Sequence, residues 1–140
     1  MSRKCVVVVD ESLPIGLQAN IAAVLCLSVG RDHPDVVGDA TVDADGQTYP
    51  GITRIPMPVL MAPSDTIARL AAAARGESIY TACFTDAALA TKNYDAYTRQ
   101  LADTPTDQVV HHGLVLLAGD KAVRRLTSGL PLLRATDAPS

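Results

Sequence analysis

Two aspartates follow apolar runs in this sequence, and they are the side chains best suited to acid–base chemistry. Asp86 comes after the apolar run 79–84 and Thr85, and Asp10 ends the run 5–9. The carboxyl end of a buried strand is where open α/β sheets place catalytic and binding residues. We therefore predict Asp86 as a catalytic residue, with Asp10 and Thr85 as ligand-binding residues. The structural alternatives are a helix N-cap at Asp86 or Thr85 and a solvated strand end at Asp10.

The adjacent histidines His111 and His112 could be taken for a pair of metal ligands. Neighbouring residues of a strand point to opposite faces, so their imidazoles should not converge on one ion. We therefore predict no metal site, with one histidine buried and the other exposed. The sequence contains neither a glycine-rich phosphate loop nor a serine nucleophile elbow, so we also predict no bound cofactor.

Length, composition and charge limit the kinds of protein that this chain can be. Its 140 residues are 48% hydrophobic and 19% charged, which predicts one α/β domain at 1–134 and a flexible tail at 135–140. The net charge of −3 argues against nucleic acid as a partner, because phosphate binding requires clustered lysine and arginine. The compact basic residues are Lys121, Arg124, Arg125 and Arg134. We interpret them as a solvated face, with anion binding as the alternative.

The cysteines and the apolar runs indicate the cellular compartment in which we expect the protein. Cys5, Cys26 and Cys83 lie in apolar stretches and form no CxxC pair, which favours reduced, buried thiols in a cytoplasmic protein. The apolar run that follows Arg3 and Lys4 is cut off by acidic residues, unlike a signal peptide. Apolar runs also stay well short of the ~18 residues of a membrane span, so we predict a cytoplasmic protein without a membrane partner.

Strand-like runs alternate with helical segments along the chain, which indicates βα units and a mainly parallel sheet. Strands are predicted around 5–9, 52–61, 79–84 and 109–117, the second being an edge strand because it contains prolines. Helices are predicted around 17–30, 64–75, 87–101 and from 120 to Gly129, with Ser64 as an N-cap and 35–49 as a loop or small hairpin. The first helix is apolar all round, so we expect it to be buried. The face expected to pack on the sheet consists of Ala19, Ala22, Ala23 and Cys26.

Several local strings, taken in chain order, resemble a known family. They are Val6-Val7-Val8-Val9-Asp10, Gly16, Ile21-Ala22-Ala23, Phe84-Thr85-Asp86-Ala87, residues 115–119 and the ending Leu126-Thr127-Ser128-Gly129-Leu130-Pro131-Leu132-Leu133. The chain resembles the type II peptidyl-tRNA hydrolase superfamily, and more closely the domain-of-unknown-function 2000 family within it. The resemblance covers nearly the whole chain. It implies a three-layer α/β/α sandwich with a four-stranded mixed sheet, mainly parallel, that contains one antiparallel strand.

The chain departs from the hydrolases at the residues that the resemblance implies are functional. The lysine- and glycine-rich string that opens their first helix is replaced by Leu17, Gln18, Ala19 and Asn20. The hydrolases have a histidine on the first helix, and this chain has Leu27 at the matching position. They also have a threonine on the following strand, where this chain has Leu114 at about the matching position. Asp86 and Ala87 remain, but Ala88-Leu89-Ala90 follows them. Losing the lysines removes groups that would hold phosphates, and losing the threonine removes a donor near an ester carbonyl.

Three functional hypotheses follow. The first is a diverged protein that binds a small polar or nucleotide-like ligand between Asp86 and the first helix, where Gln18 and Asn20 would be ligand-binding residues or merely helix caps. The second is hydrolysis of the peptidyl-tRNA ester, with Asp86 as general base and Asn20 or Gln18 polarising the carbonyl. The third is a non-catalytic interaction protein that forms a homodimer.

Overall fold

The computed structural model describes residues 2–135, so most of the predicted tail lies outside the described residues. The described residues form six strands: β1 (Arg3–Asp10), β2 (Thr41–Val42), β3 (Thr48–Tyr49), β4 (Val59–Ala62), β5 (Tyr80–Thr85) and β6 (His111–Gly119). They also form five α-helices: α1 (Ile15–Asp32), α2 (Ser64–Gly76), α3 (Asp86–Ala90), α4 (Tyr94–Ala102) and α5 (Asp120–Thr127). None of these helices is long and apolar enough to cross a membrane.

Four of the strands form a mixed sheet in the order β4-β1-β6-β5. β1 is parallel to β4, whereas β6 is antiparallel to both β1 and β5. β1, β4 and β5 therefore run in the same direction, and β6 runs against them. The prediction of an α/β chain with a four-stranded mixed sheet is confirmed. β2 and β3 form a separate two-stranded hairpin within the segment predicted as a loop or small hairpin.

The run of valines in β1 is apolar without alternation because helices cover both sides of that strand. Cys5, Val7 and Val9 belong to one cluster of buried side chains, which α1 completes with Ile21, Leu25 and Val29. Val6 and Val8 belong to a second cluster, completed by Ile67, Ala71 and Ala74 of α2 and by Val123 of α5. Each valine side chain is at most 1% exposed. The two clusters fix β1, and with it Asp10, at the centre of the domain.

The prediction that α1 is buried all round is wrong. Its buried residues are Gln18, Ile21, Leu25 and Val29, whereas Ala19 and Ala23 of the predicted packing face are exposed. On the outer side, Leu27 is 78% exposed. A helix that lies on a sheet buries only one stripe of residues, spaced 3.6 residues apart. Apolar residues on its other faces stay exposed because the sheet does not reach them.

Two predicted helix boundaries also need correction. The helix predicted over 87–101 is two helices, because α3 ends at Ala90 and α4 begins after Asn93. The Asn93 side chain accepts a hydrogen bond from the Ala96 backbone N–H at 2.8 Å, so it caps α4. Ser64 is the first residue of α2 rather than its cap. Its hydroxyl instead donates to the His111 carbonyl at 2.6 Å, which ties α2 to the start of β6.

A β-bulge interrupts the pairing of β5 with β6. Phe84 pairs with Gly113, but the next residue, Thr85, pairs with His111. His112 is therefore the extra residue on β6, and such an insertion re-aims the side chain at that point. The following residue is held against α1, since a Cβ on Gly113 would lie 2.5 Å from Ile21 Cγ2. A larger residue there would require a shift of the Ile21 side chain, of α1 or of the strand.

Candidate functional site

The imidazole of His112 lies between two carboxylates. Its Nδ1 is 2.9 Å from Asp10 Oδ2, and its Nε2 is 3.3 Å from Asp86 Oδ1. The structure thus brings together the two aspartates that the sequence singles out, and it places a histidine between them.

The sheet topology accounts for this arrangement. β6 lies between β1 and β5 and runs against them, so the start of β6 meets the carboxyl ends of both neighbours. Asp10 is the last residue of β1, and Asp86 is the first residue after β5. The bulge at His112 occurs at this same edge, one step beyond the pairing of Val9 with Gly113. Three separate segments therefore supply the three side chains.

The link between Asp10 and His112 is buried and tightly held. Asp10 is 3% exposed, and its Oδ1 accepts hydrogen bonds from the Ser12 N–H at 3.0 Å and the Ser12 hydroxyl at 2.7 Å. Burial raises the pKa of Asp10, but the hydrogen bonds from Ser12 and His112 outweigh it, so the pKa lies below its ordinary value. Asp10 is consequently a carboxylate at neutral pH and can hold the Nδ1 proton of His112.

The link between His112 and Asp86 is longer and open to solvent. The Asp86 side chain is 57% exposed, compared with 13% for His112. With a proton on Nδ1 only, the ring presents a lone pair at Nε2, whereas a hydrogen bond to each carboxylate at once requires a proton on both nitrogens. The ring can therefore accept a proton at Nε2, on the side that faces the exposed Asp86 carboxylate.

Asp86 does not act as a helix cap. Among the described residues, no side chain caps the N-terminus of α3, and the Asp86 carboxylate contacts His112 instead. The Asp86 N–H donates to the Val110 carbonyl at 2.9 Å, which fixes the backbone of Asp86 against the segment that leads into β6.

The other predicted site residues lie in different environments. Gln18 is buried, and its Nε2 donates to the backbone carbonyl of Asp10 at 2.9 Å, so it holds the backbone of Asp10 in place. Asn20 is exposed on α1. Thr85 is buried, and its Oγ1 finds no hydrogen-bond partner among the described residues. In the basic cluster, Arg124 pairs with Asp120 and Arg125 pairs with Glu77.

His112 is the functional candidate that strand alternation missed. His111 is buried, as predicted for one histidine of the pair, but His112 is mostly covered rather than exposed. The physical reason is the bulge, which turns the ring toward the two aspartates. Within residues 2–135, no group of three or more His, Cys, Asp or Glu side chains is arranged to hold a metal ion. The two aspartates instead contact different nitrogens of one ring.

Comparisons with known proteins identify relatives of unknown function. A family model described as "Protein of unknown function (DUF2000)" matches residues 3–134. The solved structure of Atu0240, a protein of unknown function from Agrobacterium tumefaciens strain C58, is similar to this chain with a TM-score of 0.88 and 19% identity. The similarity covers 96% of this chain and 99% of that one, and at such identity it carries the fold alone. No curated protein matches the sequence.

Proposed function

We propose that this chain, which belongs to the DUF2000 family of proteins of unknown function, binds a small polar ligand at Asp86 and removes a proton from it with His112. In this proposal His112 and Asp86 contact the ligand. Asp10 does not contact it, and acts as a positioning residue that holds the ring of His112.

The observation that carries the proposal is the asymmetry of the two His112 links. The Asp10 link is 2.9 Å long and buried, whereas the Asp86 link is 3.3 Å long and exposed. A base held by a buried third group and open on its other side is the arrangement that general-base catalysis requires. The weaker, outer link is the one that a ligand hydroxyl or amino group can replace.

The charges around the site favour a ligand that donates hydrogen bonds. Asp10, Asp86 and the exposed Glu11 are acidic, and the last two face solvent. A hydroxyl or amino group can donate to the Asp86 carboxylate, whereas a phosphate or a carboxylate would meet like charge. The ligand class is therefore a small hydroxylated or aminated molecule rather than an anion.

The proton-transfer step takes place at the outer nitrogen of the ring, Nε2. The ligand hydroxyl or amine, or a water beside it, gives a proton to Nε2 while the Nδ1 proton stays in its hydrogen bond to Asp10. The imidazolium formed keeps its Nδ1 hydrogen bond to Asp10. Such a positioned base typically contributes about 10²–10⁴ to a reaction rate.

Thermal melting against a panel of nucleosides, amino acids, amino sugars and small acids tests the proposal. A ligand present at 100 times its Kd should stabilise the wild type by about 2.7 kcal/mol. The shift should be lost in Asp86→Asn and His112→Gln and should persist in Asp95→Asn. Asp95 is a matched control, because it also lies in the first turn of a helix and is exposed.

The proposal fails if no compound on the panel shifts the wild-type melting temperature. It also fails if a shift survives in both Asp86→Asn and His112→Gln, because that ligand would then bind elsewhere. Loss of the shift in Asp95→Asn would indicate a general effect of surface charge rather than a site.

Hydrolysis of the peptidyl-tRNA ester is a second candidate, supported by Asp86 and by the family strings around it. We propose that the fold is the three-layer α/β/α sandwich of that superfamily, because helices cover both faces of the sheet. Exposed Glu11 and Asp86 would repel the RNA backbone, so we expect no release of tRNA comparable with a true hydrolase. Robust turnover that disappears in Asp86→Asn would make this candidate the function.

Homodimerisation is a third candidate, supported by the exposed apolar side of α1. Val24 is 43% exposed and Leu27 is 78% exposed, and both would be covered by a second copy of the chain. If the dimer forms through this side, sedimentation should give a dimer for the wild type and a monomer for Leu27→Glu. A monomeric wild type would exclude this candidate.

A further inference from the structure

An open cleft lies between α1, the edge strand β5 and the segment from α3 to the start of α4. Its volume is about 380 Å³, and none of Asp10, Asp86 and His112 lines it. Pockets that hold small organic molecules have volumes of ~300–1,000 Å³, so this cleft is large enough for a small ligand. We name it the α1–α4 cleft, after the helices whose Val24 and Tyr97 line it.

Aromatic residues are concentrated in the α1–α4 cleft. The whole chain has four tyrosines and one phenylalanine, and three of these residues, Phe84, Tyr94 and Tyr97, line the cleft. The rings of Tyr94 and Tyr97 contact each other, with centroids 5.5 Å apart and planes tilted by 51°. Tyr94 is 78% exposed, so its ring remains available to a further aromatic group. Aromatic pairs contribute binding energy beyond the burial of their area.

The apolar side chains on two sides of the cleft are only partly used by the fold. None of the nine residues of α4 is buried, so Tyr94 and Tyr97 contribute little to the core. On the α1 side, Val24 is 43% exposed. A planar apolar group in the cleft would cover both sides, and removing apolar surface from water favours binding.

The charge at the cleft favours an anion. Among the described residues, Lys92 is the single charged residue that lines it, and Lys92 is exposed and forms no ion pair with them. Its flexible four-carbon stem allows the ammonium to reach an anion at the rim. Asn93, which caps the N-terminus of α4, also lines the cleft, and the N-terminal end of a helix favours negative charge. The acidic residues nearest in sequence, Asp86 and Asp95, do not line it.

We infer that the α1–α4 cleft binds a small aromatic carboxylate, with its ring against Tyr94 and Tyr97 and its carboxylate beside Lys92. This ligand class differs from the one proposed at Asp86, so the cleft is a separate site and does not depend on the proposed function. A cationic ligand would meet like charge at Lys92 and at the N-terminus of α4, and a neutral aromatic molecule would gain from neither.

Phenylacetate is the probe, and NMR titration of the ¹⁵N-labelled full chain is the measurement. It should shift the backbone amide signals of Val24, Ala88 and Tyr97, which come from three helices around the cleft, in a saturable way. The neutral 2-phenylacetamide should bind about two- to fivefold more weakly, the range expected for an exposed ion pair, and the cation phenethylamine more weakly still. Lys92→Met should reduce this preference for the acid. Lys121→Met, which removes another exposed lysine outside the cleft, should keep it.

The aromatic contact has its own pair of variants. Tyr94→Ala should weaken phenylacetate binding by about fivefold or more, because it removes the exposed ring. Tyr49→Ala is the matched control, since Tyr49 is a tyrosine that is 48% exposed and lies outside the cleft. Both side chains are exposed, so both variants should fold.

The inference is overturned if phenylacetate gives no saturable shifts, or if Tyr94→Ala and Tyr49→Ala bind it equally well. It is also overturned if Lys92→Met leaves the preference for the acid unchanged, or if phenethylamine binds more tightly than phenylacetate. A second copy of the chain is the competing occupant, because Val24 belongs to the side of α1 considered above for dimerisation. A dimer that excludes phenylacetate, and that Tyr94→Ala converts to a monomer in sedimentation, would assign the cleft to that second copy instead.

Discussion

Replacing Asp10 by asparagine tests whether the buried carboxylate holds His112. Asparagine has nearly the same shape and keeps one acceptor oxygen for the N–H and hydroxyl of Ser12. It presents an NH₂ group, however, where Asp10 presents the oxygen that lies 2.9 Å from His112 Nδ1. Two donors would then face each other unless the histidine moves its proton to Nε2. That change would leave no lone pair for a ligand proton, so Asp10→Asn should impair proton transfer as well as stability.

The expected loss of stability follows from the contacts of this carboxylate. A hydrogen bond to a charged group contributes about 1.5–3 kcal/mol net, and the variant loses the charge-assisted bond to His112. We therefore expect the free energy of unfolding to fall by about 1.5–3 kcal/mol at pH 7. With a urea m-value of about 2 kcal/mol per molar, the midpoint should move by roughly 1 M. The exposed control Asp95→Asn should stay within about 0.5 kcal/mol of the wild type.

The pH dependence separates loss of charge from loss of packing. The pKa of Asp10 in the folded chain is lowered, so the unfolded chain binds the proton first on acidification. The stability contributed by the charge is therefore fully present above the ordinary aspartate pKa of about 3.9, and it is lost as the pH falls through the lower folded value. Asparagine does not titrate. The stability difference between wild type and Asp10→Asn should thus shrink as the pH falls below about pH 4.

Urea denaturation of the wild type, Asp10→Asn, His112→Gln and the double variant at several pH values provides the measurement. In the double-mutant cycle, the two residues should show a coupling of about 0.5–3 kcal/mol. Equal stability of Asp10→Asn and wild type at pH 7 would refute the reasoning. A deficit that stays the same at pH 3 would refute it as well, because the lost energy would then come from packing and not from the carboxylate.

Two further substitutions test the elements that position the site, each measured by urea denaturation. Gly113→Ala should destabilise the fold by about 1–3 kcal/mol, because the new Cβ would lie 2.5 Å from Ile21 Cγ2. Gly119→Ala, whose Cβ would meet nothing within 4 Å among residues 2–135, should be nearly silent, and equal effects would contradict the close approach of α1. Asn93→Ala should cost about 1 kcal/mol, because it removes the cap of α4. Asn20→Ala on the exposed side of α1 should change stability by less than about 0.5 kcal/mol, and a similar loss in both variants would argue against the cap.

The sequence predicts the sheet well where local composition determines burial. The valines of β1 are β-branched, unalternating and stopped by acidic residues, and they form the strand buried by helices on both sides. The same pattern identifies Asp10 and Asp86 as strand-end carboxylates, and the structure brings them together. Both aspartates contact the ring of His112 because β6 lies between β1 and β5 in the sheet. That order is a property of the whole chain and cannot be derived from either local string.

The features that the sequence does not predict each depend on tertiary contacts. His112 turns toward the aspartates because β6 carries one extra residue opposite β5, and strand periodicity cannot anticipate an insertion in pairing. A clue lies in Gly113, since glycine inside a strand often marks a bulge or a close backbone approach. The exposed side of α1 also carries apolar residues such as Val24 and Leu27, so the position of the sheet determines which stripe is covered.

In the proposed function, the Asp10 link of His112 holds the fold and the Asp86 side of the ring binds the ligand. The Asp10 link is buried and fully hydrogen-bonded, so breaking it should reduce stability and turn the ring away from its working state. The Asp86 carboxylate is more than half exposed, so removing its charge should cost little stability while removing the group that receives the ligand. If the three side chains had only a structural role, replacing either aspartate would reduce stability and the site would bind no ligand. A proton-transfer site instead requires the asymmetry seen here, because the base must be fixed on one side and free on the other.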